Sequence, residues 1–125
     1  MIFIQLHLII SALIVFAIAM VYGFHPSLLF DVEISSFDEH SIFKAIMGLY
    51  FAFATLWTIG ILKSAFWKIA TISNMIFMLG LAFGRIIAMI IDGLPTPIFI
   101  VGTAGELILG GYALFQYKRC SDSVE

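Results

Sequence analysis

Cysteine, charge and basic clusters are what this chain has least of. Its one cysteine, Cys120, lies in the polar stretch Lys118-Arg119-Cys120-Ser121-Asp122, so no intrachain disulfide framework exists and the thiol has no expected role. Charged residues are 11% of the 125, against roughly 25% in an average soluble domain. The six Lys and Arg never gather into a patch and the net charge is −2, which excludes nucleic acid as a partner. No metal-ligand spacing, glycine-rich phosphate loop or nucleophile-with-base arrangement is present, and His7, His25 and His40 are scattered over different levels. No metal or cofactor is therefore expected, and an enzyme is the least supported class.

What fills the chain instead is apolar. Hydrophobic residues make up 62%, and the mean hydropathy is +1.13. These values describe an integral membrane protein whose surroundings are the lipid bilayer. About 20 apolar residues cross a hydrocarbon core, and four such stretches occur, at 2–23, 41–62, 69–91 and 97–117. The first competes with a cleaved signal peptide, because Ala17-Ile18-Ala19 resembles a cleavage site, but its start lacks positive charge and its apolar run is too long. The spacing predicts an all-α, up-down-up-down four-helix bundle in one membrane domain, 1–125.

Three connections join the spans. The acidic loop 24–40 carries Asp31, Glu33, Asp38 and Glu39, and Pro26-Ser27-Leu28-Leu29-Phe30 within it is expected to lie along the interface. Ser36-Phe37-Asp38-Glu39 reads as a capping box, which starts the second helix in the headgroups. Lys63 to Lys68 form a short turn with interfacial aromatics, and Asp92-Gly93-Leu94-Pro95-Thr96-Pro97 forms a sharp one, with Pro97 suited to a first helical position. Lys63, Lys68, Lys118 and Arg119 fall on one side, the last two in the tail 118–125, whereas the other side holds Lys44 and the acidic loop. Both termini are thus expected to be cytoplasmic, in a bacterial inner membrane.

Two opposite charges interrupt the last two spans. Arg85 is seven residues before the outer end of the third helix, about 10 Å deep, and Glu106 is nine residues after Pro97, about 13 Å deep. Nearly equal depth on antiparallel neighbours predicts a direct ion pair, since an unpaired charge at mid-bilayer costs at least about 2.5–3.5 kcal/mol. Asn74, Met78, Ala82, Arg85, Ala88 and Asp92 share one side of the third helix at helical spacing. Phe99, Gly102, Thr103, Gly110 and Ala113 flank Glu106 on the fourth. Tyr50 faces the same level, Asp92 is expected to seek Lys44 or His40, and His7 is expected to bond Asn74. The expected ligand-binding set is Arg85, Glu106, Tyr50, Asp92, Thr103 and Lys44.

The runs Lys44-Ala45-Ile46-Met47-Gly48-Leu49-Tyr50, Gly80-Leu81-Ala82-Phe83-Gly84-Arg85, Asp92 to Pro97 and Glu106-Leu107 together carry a resemblance. The chain resembles, over nearly its whole length, a small bacterial membrane-protein family known only as a domain of unknown function. That resemblance implies four helices and shared polar residues that are here Arg85, Asp92 and Glu106. Where it leads one to expect an arginine early in the second helix, this chain has Lys44, which lacks the bidentate fork. The chain is also similar, more loosely, to the DoxX-like four-helix proteins. Neither resemblance implies a reaction.

Three functions fit these residues. The first is binding of a small or lipid-like ligand in an outward-opening intramembrane pocket among helices two, three and four, with Arg85 as anchor, Glu106 as its resting counter-ion and Tyr50 orienting. The second is a small proton-coupled transporter acting as a homo-oligomer, a dimer, with Glu106 carrying the proton. The third is an accessory or scaffolding subunit whose ion pair is purely structural. Gly80 and Gly84 form a G-x-x-x-G step that permits close helix approach.

Overall fold

A computed structural model describes residues 2–25, 27, 33 and 35–124, with side chains described over 4–25, 27, 33 and 35–120. Four helices follow one another: α1 (Ile2–Phe24), α2 (Phe37–Leu62), α3 (Trp67–Asp92) and α4 (Pro97–Val124). All four are long and apolar enough to cross a membrane. Residues such as Leu13, Ile90 and Ile108 are more than two-thirds exposed in the isolated chain, as lipid-facing positions are. The expected interfacial segment at Pro26–Phe30 lies, apart from Ser27, outside the described residues.

Local chemistry sets the helix ends. Ser36 Oγ accepts from the Glu39 amide at 3.1 Å, and the Glu39 carboxylate accepts in return from the Ser35 amide at 2.9 Å. The capping box thus closes one residue further back than its usual form. Gly93 ends α3 at φ 101°, a left-handed angle that favours glycine, and Pro97 opens α4 four residues later. At the α2–α3 connection a single 3₁₀ turn covers Ser64–Phe66. Trp67 Nε1 donates to the Ile4 carbonyl at 3.0 Å and Gln5 Nε2 to the Ile61 carbonyl at 2.8 Å, which tie the start of α1 to that turn.

Packing is uneven around the bundle. The α1–α2 and α3–α4 hairpins are each closely packed, α2 and α3 join them, and α1 barely meets α4. At Gly110 a Cβ atom would lie 2.7 Å from Leu79 Cδ2 and 3.3 Å from Met78 Cβ, so α4 approaches α3 closely there and a larger residue requires neighbouring side chains to shift. The core of α1, α2 and α3 is aromatic: Tyr50 meets Tyr22 and Phe77 edge-on at 5.4 and 5.3 Å between ring centres, and Trp57 meets Phe77 at 5.2 Å. The seam between α1 and α4 is left loose, and the charged pair lies behind it.

Candidate functional site

Arg85 and Glu106 reach one another because α3 and α4 run antiparallel with the two residues at nearly equal depth. Arg85 Nη2 lies 3.1 Å from Glu106 Oε1, with the side chains 20% and 12% exposed. It is the one salt bridge among the described residues. The guanidinium is flanked on three sides. Its carbon sits 5.1 Å from the centre of the Phe99 ring, a cation–π contact, and its Nη1 lies against Gly102, where a Cβ would meet it at 3.6 Å. Tyr50, from α2, lines the same cavity as the pair.

The pair borders a cavity of about 290 Å³. Its polar lining is Arg85, Glu106 and Tyr50, it also takes in Gly105, where a Cβ would meet nothing within 4 Å, and its apolar lining includes Ile14 of α1 and Val101 of α4. Ile14 and Val101 are exposed, at 48% and 67%, so the cavity reaches the surface of the bundle between α1 and α4. A second cavity of about 480 Å³ shares Arg85 and Tyr50 and extends past Phe99 to Pro95, in the α3–α4 turn. The expected pocket among helices two, three and four thus matches the second space more closely. The cavity holding both charges is walled by α1, α3 and α4, with Tyr50 alone from α2.

The remaining expected residues stand apart from the pair. Thr103 is buried, but its hydroxyl donates to the Phe99 carbonyl at 2.7 Å within α4. Lys44 Nζ donates to the Gly23 carbonyl at 3.2 Å and so caps the end of α1. Asp92 is exposed at the end of α3 and forms no salt bridge among the described residues. Neither Lys44 nor Asp92 lines either cavity. His7 Nε2 meets Thr71 Oγ1 at 3.0 Å, not Asn74 as expected, because Thr71 rather than Asn74 points its polar atom at the ring. The α3 stripe is buried at Asn74, Met78 and Ala82 and emerges at Arg85.

Sequence reasoning missed Gly105 and the α1 residues of the lining. Gly105 is adjacent to Glu106 and small, which is a usable signal; Ile14 has none, because an apolar residue lining a cavity is written like one facing lipid. Among the described residues no group of three or more His, Cys, Asp or Glu could hold a metal ion. Chemically, the site offers N–H donors and one carboxylate acceptor at the bottom of an apolar slot.

The model of a protein family described as "Domain of unknown function (DUF4345)" matches residues 3–117. No curated protein and no solved structure matches the chain.

Proposed function

The chain belongs to the DUF4345 family, a family without an assigned reaction, and from that premise and the geometry around Arg85 we propose that it binds a small or lipid-like amphiphile in an intramembrane pocket. Arg85 anchors the polar or anionic head, Glu106 is its resting counter-ion, and Tyr50 orients it. The apolar remainder lies in the slot between α1 and α4.

One observation carries this reading. Glu106 Oε1 is paired with Arg85, but Oε2 is buried without a hydrogen-bond partner beside the cavity. A buried carboxylate oxygen left unbonded is costly in low dielectric. A guanidinium offers five N–H donors, more than one carboxylate contact uses. A head that both accepts from Arg85 and donates to Oε2 completes both groups. A purely structural staple accounts for Arg85 with Oε1 but leaves Oε2 unbonded.

The transporter alternative draws support from Gly80 and Gly84, where an added Cβ would meet nothing within 4 Å, which leaves that side of α3 open to a second copy. It requires a pH-dependent flux that Glu106→Gln removes. The cation bias of Lys63, Lys68, Lys118 and Arg119 supports cytoplasmic termini in a bacterial inner membrane.

The test is mass spectrometry of amphiphiles retained by protein purified from its membrane. The native chain should carry a retained species that Arg85→Ala loses while helix content stays the same. Retention unchanged in Arg85→Ala overturns the reading.

A further inference from the structure

A second polar cluster lies toward the other end of the bundle, enclosed by α1, α3 and α4. His7, Ser11, Thr71 and Asn74 are 0% exposed, and Gln116 is 2% exposed. Two bonds and one ring contact bring the three helices together there. His7 Nε2 meets Thr71 Oγ1 at 3.0 Å, Gln116 Nε2 donates to the Tyr112 hydroxyl at 2.8 Å, and the His7 and Tyr112 rings are edge-on at 5.9 Å. α1 and α3 run in the same direction, and Ser11 and Asn74 each follow the His7–Thr71 bond by about one turn, which puts them at one level.

Five polar atoms in this cluster have no partner: His7 Nδ1, Ser11 Oγ, Asn74 Oδ1, Asn74 Nδ2 and Gln116 Oε1. Donors and acceptors are both represented. Ser11 and Asn74 bring hydrogens; Asn74 and Gln116 bring carbonyl oxygens, and His7 brings whichever role its tautomer leaves at Nδ1. None bonds to another of them or to any other protein group. Hydrocarbon supplies no substitute.

We infer that this cluster is a binding site for water, in which ordered molecules bridge His7, Ser11, Asn74 and Gln116. The occupant must donate and accept at once, which water does with about three bonds in a typical buried site. It must also be uncharged, because the cluster contains no carboxylate, ammonium or guanidinium, and small, because the lining side chains are closed to the outside. Met78, one turn beyond Asn74 and 2% exposed, lines the Arg85 cavity, so the cluster and that cavity lie about one turn apart along α3. The inference stands whether or not the Arg85 cavity binds a ligand.

Water-edited solid-state NMR of the full chain in bilayers tests it. Polarisation from water should reach the Asn74 side-chain amide and the His7 ring, and the transfer to His7 should be lost in Asn74→Leu. Absence of transfer to both groups in the unaltered chain overturns the inference, whatever Asn74→Leu does to folding. Chemical-shift changes there that follow sodium or potassium concentration, without water transfer, overturn it in favour of a cation.

Discussion

Glu106 meets Arg85 with one carboxylate oxygen, at 3.1 Å, and leaves the other buried and unbonded. Removing one partner strands the other charge inside a membrane-spanning helix. Arg85→Leu or Glu106→Leu alone should therefore lower stability by about 2–4 kcal/mol. The pair Arg85→Met with Glu106→Leu should recover most of that loss, because well-packed apolar substitutes for an ion pair are often tolerated. It should not recover amphiphile binding. Unfolding titrations in mixed micelles, with binding measured on the same preparations, check both halves.

Gly105 offers a way to block the slot without touching either charge. A Cβ there meets nothing within 4 Å and the residue lines the cavity. Gly105→Leu should fill the space and weaken amphiphile binding at least tenfold, with stability unchanged or slightly raised. Binding isotherms on the variant measure the loss.

Tyr50 and Lys44 should separate in the same assay. Tyr50 lines the cavity with Arg85 and Glu106, so if its hydroxyl orients the head, Tyr50→Phe should weaken binding severalfold, equivalent to about 1 kcal/mol for one hydrogen bond. Lys44 instead caps α1 through the Gly23 carbonyl, and Lys44→Met should leave binding unchanged at a stability cost below about 1 kcal/mol.

Gly110 should be the least replaceable glycine between α3 and α4. A methyl group there would lie 2.7 Å from Leu79 Cδ2 and 3.3 Å from Met78 Cβ. Gly110→Ala should destabilise the bundle by about 1–3 kcal/mol, as overpacking does, whereas Gly111→Ala, which meets nothing within 4 Å, should not. Thermal unfolding of the two variants side by side checks the contrast.

Much of this architecture is legible in the sequence because the bilayer imposes it. Apolar runs of the right length specify the four helices, and Ser36 and Glu39 announce the start of α2. Depth arithmetic on α3 and α4 brings Arg85 to Glu106, since antiparallel helices of fixed rise leave little choice. Depth alone fails where helix rotation decides: His7 shares its end of the bundle with both Thr71 and Asn74, and bonds Thr71. Lys44 was unreadable for another reason, because its partner is the Gly23 carbonyl, and a backbone acceptor leaves no mark in a sequence. The α1 wall of the cavity is equally silent, as Ile14 would be isoleucine whether it faced lipid or a ligand.

The most direct measurement is an experimental density map of the protein purified in lipid nanodiscs, inspected beside Arg85. The account predicts non-protein density in the slot between α1 and α4, touching the guanidinium and approaching Glu106 Oε2. A slot closed by α1 against Gly105, with the two charges sealed among side chains, would contradict it.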